Sequence, residues 1–213
     1  MNKLVANGLF ITFEGPDGSG KTSQLKLATV WLKTQGITPV VTREPGGTPI
    51  GEKIRKLLHD THHTEMSSET EILLYAASRA QHVAEIILPA LHAGSVILCD
   101  RFYDSTYAYQ GYGRGLSMKS LKLITQFATQ NLVPDLTIYL DIAPEFGIKR
   151  RESGGEILNR LDRETLAFHQ RVRQGYLDLI KADPARWRAI DGSGTIQEVH
   201  GAVKEVLKKA LSL

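Results

Sequence analysis

Residues 13 to 22 read FEGPDGSGKT, and no other stretch narrows the possible folds of this 213-residue chain as much. Gly15, Gly20, Lys21 and Thr22 fit the pattern G-x-x-x-x-G-K-[ST], with the apolar run LFITF before it and an amphipathic run after it. Strand, glycine-rich loop and helix in that order build a cradle for phosphate. The glycines let successive backbone N–H groups turn inward, the helix start adds the positive end of its dipole, the lysine brings a mobile charge, and the threonine hydroxyl is a ligand for Mg²⁺. Gly15, Pro16, Asp17, Gly18, Ser19, Gly20, Lys21 and Thr22 are therefore the expected binders of a nucleoside triphosphate.

Asp17 sits oddly in such a loop. At about 5 Å from a phosphate charge, with an effective dielectric near 20, repulsion is on the order of 3 kcal/mol. The carboxylate must point away from the cradle, towards a metal ion, a cationic side chain or a hydroxyl of a second substrate; a sugar hydroxyl suits it best. The alternative is an Asx-type turn that bonds loop amides.

The rest of the chain repeats a βα pattern. Candidate strands are LFITF (9–13), TPVVT (38–42), SVILC (95–99), LTIYL (136–140) and WRAI (187–190), and their continuous apolarity suits strands covered on both faces. Between them, Leu25, Ala28 and Leu32, and likewise Ile196, Val199, Val203 and Val206, recur at helical spacing. Ser68 with Glu71 and Thr195 with Glu198 read as capping boxes at helix starts. Alternating strands and helices predict an α/β fold with a mainly parallel sheet and right-handed crossovers. The length predicts one domain over residues 1–213. A basic stretch around Gly154-Gly155, residues 149–164, reads as a hinged excursion from it.

A net charge of +3 gives no ground for a nucleic acid or membrane partner. No run approaches the roughly 18 to 20 apolar residues that cross a bilayer. The N-terminus lacks the pattern of a signal peptide, so residence in the cytoplasm is expected. The single cysteine, Cys99, lies in an apolar run and reads as an inert strand residue.

Strand ends supply the remaining candidates, because ligands of open α/β sheets bind beyond the carboxyl ends of the strands. Arg43, in TREPGGT, could clamp a monophosphate from two points or be a solvated turn residue. Asp100 could join Thr22 in a Mg²⁺ shell while Arg101 bridges two phosphates; the plain alternative is an ion pair at a strand end. Tyr75 and Arg79 share a helix face and could stack on a base and donate to its carbonyl edge, although Tyr75 also suits a core. His59, His62 and His63 read as a solvated loop and not as a metal site.

The ordered combination of FEGPDGSGKT, TREPGGT, DRFYDSTYAYQG and NRLDRE, nearly end to end, resembles bacterial thymidylate kinases. The resemblance implies the P-loop nucleoside monophosphate kinase fold, a five-stranded parallel sheet flanked by helices with a mobile lid, and a homodimer. It implies transfer of phosphate from ATP, with Mg²⁺, to dTMP, giving dTDP on the route to dTTP. It would place ATP on residues 15 to 22, the dTMP phosphate near Arg43 and Arg101, and Asp17 at the deoxyribose 3′-hydroxyl. Tyr75 would lie against thymine, with Arg79, Ser105, Thr106 and Gln110 near the nucleotide's polar groups and Tyr109 crowding the position of a 2′-hydroxyl. Some relatives carry arginine directly after the loop aspartate; this chain has Gly18 there, so the arginine at the transition state is expected from the lid, with Arg150, Arg151 and Arg160 as candidates. Two rival readings are a P-loop kinase of deoxynucleosides or dUMP, and a nucleotide-sensing switch. The second lacks the N-K-x-D motif that reads guanine.

Overall fold

The structure, a computed structural model, describes residues 8–153 and 159–213, apart from the side chain of Glu152. The Gly154-Gly155 pair lies outside the described residues. Five strands form one parallel sheet: β1 (Leu9–Glu14), β2 (Val40–Arg43), β3 (Val96–Asp100), β4 (Leu136–Asp141) and β5 (Trp187–Asp191), in the order β2-β3-β1-β4-β5. The helices are α1 (Lys21–Thr34), α2 (Pro49–His59), α3 (Ser68–His82), α4 (Leu88–His92), α5 (Tyr103–Thr106), α6 (Met118–Thr129), α7 (Pro144–Ser153), α8 (Leu166–Ala182) and α9 (Ile196–Leu211). A π-helical turn, Val83–Ile87, joins α3 to α4, and a longer one, Tyr107–Gly113, continues α5.

Strand side chains alternate between the two faces of the sheet. On one face Ile11, Phe13, Leu98, Ile138 and Leu140 pack against Leu25, Ala28 and Leu32 of α1 and Val199, Val203 and Leu207 of α9. On the other, Phe10, Ile97 and Cys99 meet Ile72, Val83, Phe102, Tyr107 and Leu121. A third cluster, around Tyr139 and Trp187, seats α8 through Phe168, Val172 and Tyr176. Each large side chain buried here contributes about 1.5 to 3 kcal/mol. Burial also pushes the Cys99 thiol well above its ordinary range, in keeping with an inert core position.

All five expected strands form; the expectation that they are covered on both faces holds for the three central strands and fails for the two outer ones. β2 and β5 are the sheet edges, and both leave alternate or consecutive residues exposed, because no neighbouring strand lies beyond them. β2 also starts later than TPVVT predicts and runs through Arg43. The capping box at Thr195 and Glu198 forms in both directions. The one at Ser68 does not: Ser67 caps α3 by accepting from the Thr70 N–H, while Glu71 turns into the protein.

Parallel register decides where chemistry can occur. Phe13 and Arg43 both lie opposite Asp100, so the loop after β1, the turn after β2 and the Asp100-Arg101 pair open at one edge of the sheet.

Candidate active site

That edge carries a cavity of about 770 Å³. Residues Asp17 to Thr22 of the loop line one side of it. Gly20 has φ +91°, a left-handed geometry that glycine adopts without strain, and hands the chain into α1. Lys21 is buried, and its ammonium donates to the carbonyls of Pro16 at 2.8 Å and Gly15 at 3.0 Å. Burial, then the neighbouring Arg101 charge, pushes its pKa down to about 8. Gly18 also has a left-handed φ, and a β-carbon there would run into the carbonyl of Gly147 in α7. A β-carbon at Gly147 would in turn meet the Asp17 carbonyl. An arginine at position 18 has no room, which accounts for the glycine.

Asp17 points away from the cradle, as electrostatics requires. Arg101 donates to it at 2.7 Å and the Tyr109 hydroxyl at 2.6 Å. Burial works to raise the Asp17 carboxyl, but the Arg101 and Lys21 charges, the Tyr109 hydrogen bond and the Arg151 charge together outweigh it and hold the group well below the usual carboxylate range. Arg101 itself adopts a left-handed φ of 69°, and also donates to Ser105, Tyr176 and Tyr109. Glu14, the last residue of β1, lies beneath this group and is fully buried. It accepts from the Phe102 N–H at 2.7 Å, the Ser105 hydroxyl at 2.6 Å and the Tyr176 hydroxyl at 2.8 Å. Burial, reinforced by Asp104, lifts its pKa to about 7.

A second buried network closes the far end. Glu44 accepts from Arg79 at 2.7 Å and bonds the His82 ring at 2.9 Å, and His82 reaches Thr42 at 2.6 Å. The Glu44-Pro45 peptide is cis. Arg79 is only 2% exposed and also donates to Thr106 at 3.1 Å, yet its Nη1 has no hydrogen-bond partner among the described residues. A buried guanidinium N–H lacking an acceptor beside a cavity is a donor prepared for a ligand carbonyl. Tyr75, Arg79, Thr106, Tyr109 and Gln110 all line this end.

The cavity thus brings together most residues singled out from sequence, with informative exceptions. Arg43 is not among the described residues of its wall; its guanidinium donates to both Glu52 oxygens, at 2.9 and 3.0 Å. Arg55, one turn before the end of α2, lines the cavity instead and is braced on the Pro45 carbonyl at 2.9 Å. Its spacing from Gly51 and Leu58, the buried face of α2, was the available signal. His59 is a correction: it lines the same wall and does not belong to a solvated loop, and burial beside Arg55 pushes its pKa down to about 4. His62 is exposed as expected.

The three lid arginines differ in placement. Arg150 lines the cavity and donates to the Gly192 and Ser193 carbonyls, at the end formed by the start of α9. Arg151 lines it next to Asp17 and donates to Asp162 at 2.7 Å. Arg160 is absent from the described wall and is drawn to the buried Glu71.

Thr22 and Asp100 are joined by a 2.6 Å hydrogen bond. Both offer hard oxygen donors, and no group of three or more His, Cys, Asp or Glu side chains able to hold a metal occurs among the described residues. That sparse set fits Mg²⁺, which takes one or two protein oxygens and completes its shell with phosphates and water.

The family pattern described as thymidylate kinase matches residues 13–203. A thymidylate kinase of Thermoanaerobacter sp. (strain X514) is 49% identical over 204 residues, covering 96% of this chain and 99% of the relative. One from Bacillus licheniformis is 48% identical over 206 residues, covering 96% and 97%. The crystal structure of thymidylate kinase from Ehrlichia chaffeensis superposes with a TM-score of 0.77 at 34% identity, covering 94% of this chain and 99% of that one.

Proposed function

The chain belongs to the thymidylate kinase family, and from that premise we propose that it transfers the γ-phosphoryl group of ATP to dTMP, giving dTDP. One observation carries the reading: one cavity is lined by a phosphate loop, by Arg101 and Arg55, and at its far end by Arg79, whose buried Nη1 has no partner among the described residues.

The division of labour follows from position. The loop amides and Lys21 grip the ATP phosphates, and ATP extends along Arg150 and the Gly192 to Ile196 segment. Thr22 and Asp100 would hold Mg²⁺, which would supply charge that neutralises the phosphates. Arg101 and Arg55 hold the acceptor phosphate, a role that Arg55 takes in preference to Arg43 because Arg55 faces the cavity. Tyr75 stacks on thymine, Arg79 Nη1 donates to a ring carbonyl, and Asp17 accepts from the sugar 3′-hydroxyl. Arg151, beside Asp17, is the lid arginine that covers the moving phosphoryl group, since Arg150 is tied to the nucleoside end and Arg160 to Glu71. No general base is needed, because the acceptor phosphate is already anionic at neutral pH. Positioning and charge neutralisation supply most of the acceleration.

No helix among the described residues is long and apolar enough to cross a membrane, and the substrates are those of the cytoplasm, where we place the enzyme. Leu123 and Phe127, one turn apart on α6, are exposed at 60% and 89%, and Leu73 of the adjoining α3 is exposed at 58%. We assign this apolar surface to a second copy of the chain, in a homodimer.

A panel of dTMP, dUMP, dCMP and thymidine with Mg-ATP, read by chromatography, tests the function. Formation of dTDP is expected; no turnover of dTMP sinks the reading, and ATP binding without any product means a nucleotide switch.

A further inference from the structure

Glu71 is 1% exposed, and four N–H donors from three residues converge on it. Arg114 donates to Oε1 through Nε at 2.7 Å and to Oε2 through Nη2 at 3.0 Å. Arg160, from the lid segment, donates to Oε2. The fourth donor is the Gln110 side-chain amide, whose Nε2 reaches Oε1 at 2.8 Å. Burial works to raise the Glu71 carboxyl, but the bonds from Arg114 and Gln110, the Arg114 charge and the Arg160 bond together hold the group below its ordinary value.

An ionised carboxylate only accepts hydrogen bonds. A primary amide can face it in one way only, with NH₂ towards the carboxylate and carbonyl away. Gln110 lines the cavity, and no described residue donates to its side-chain carbonyl, which therefore faces the space where the acceptor base lies. Arg79 lines the same wall, and its buried Nη1 has no hydrogen-bond partner among the described residues. The pair offers an acceptor beside a donor. A thymine or uracil edge, ring N–H beside a carbonyl, complements that order; a cytosine edge, ring nitrogen acceptor beside an amino donor, opposes it at both atoms.

We propose that Glu71 is a positioning residue for base selection: it locks the Gln110 amide with its carbonyl towards the base, so that the site takes pyrimidines bearing a ring N–H beside a carbonyl and rejects the reversed edge. The proposal rests on the reading that a pyrimidine monophosphate occupies this end of the cavity. Arg114 and Arg160 act through Glu71 by keeping it charged and fixed, which links base reading to the segment that carries Arg160.

The test compares kcat/KM for dTMP with that for 5-methyl-dCMP, which keeps the sugar, phosphate and methyl group and changes only that edge. Wild type should favour dTMP by about 10⁴-fold or more, the scale at which a site built around specific hydrogen bonds rejects an analogue that cannot make them. Glu71→Gln frees the amide to turn over, and the preference should fall at least tenfold, through a raised KM for dTMP with the KM for ATP unchanged. Glu71→Asp keeps the charge on Arg114 and Arg160 but withdraws it from Gln110, and should act alike. Retention of the wild-type preference by either variant, folded by thermal melting, overturns the proposal, as does an equal loss for both nucleotides accompanied by a raised KM for ATP. Calorimetry on the wild-type enzyme gives a result independent of either variant's folding: N3-methyl-dTMP should bind at least 100-fold more weakly than dTMP, and equal binding overturns the proposal. Failure of wild type to phosphorylate dTMP, by contrast, removes the functional reading itself.

Discussion

Replacing Glu14 with glutamine isolates the electrostatic strain stored under the active site. The carboxyl is wholly buried at the end of β1, and burial together with Asp104 lifts its pKa from 4.5 to about 7. Below 4.5 the group is protonated in both the folded and unfolded chains. Between 4.5 and 7 the unfolded chain releases the proton and the folded one keeps it, so stability falls as pH rises, by about 1.4 kcal/mol for each pH unit. The stabilisation is thus fully present below 4.5, is lost as pH climbs through about 7, and amounts to about 3 kcal/mol across the window. Glutamine keeps an acceptor for the Phe102 N–H and does not titrate. Urea unfolding of both proteins at pH 4.5, 5, 6, 7 and 8 gives their difference in stability at each pH. That difference should move by about 3 kcal/mol in favour of Glu14→Gln between pH 4.5 and 8, and then level off. A difference that stays constant, or moves in favour of the wild type as pH rises, refutes the reasoning.

Two further outcomes are expected. Arg151→Met should lower kcat by about 10³-fold with little change in KM for dTMP, as loss of an arginine acting on the transition state does; near-normal turnover, with turnover lost on changing Arg150 or Arg160, moves the role to one of them. If the proposed homodimer forms through α6, Phe127→Glu should convert it to monomer in sedimentation analysis without unfolding the chain, and an unchanged sedimentation coefficient means that α6 is not the interface.

Much of the fold was legible because it rests on local chemistry. LFITF followed by a glycine-rich turn and a helix could scarcely form anything but a strand feeding a phosphate loop, and the Asp17 argument needed only a distance and a charge to turn the carboxylate outward. What sequence could not show was partnership across long separations. Glu71 looks like a helix-capping residue until the fold brings Gln110, Arg114 and Arg160 to it. Arg43 and Arg55 stand in the same segment, and only the path of α2 decides that the first meets Glu52 and the second meets the cavity. Glu14 carried no distinguishing sign either; its raised pKa comes from burial under the folded chain and from Asp104, distant in the sequence. Edge exposure of β2 and β5 follows from strand order, which a list of strands does not contain.

The two glycines at which the loop touches α7 have a mechanical meaning. With no side chain at Gly18 or Gly147, peptide units of the two segments rest directly on one another, and no soft side-chain layer lies between them to absorb displacement. A loop that tightens on a triphosphate therefore pushes on the first turns of α7 as on the short arm of a lever. Arg150 and Arg151 ride on the long arm, so grip on the donor sets the aim of the cations that must meet it.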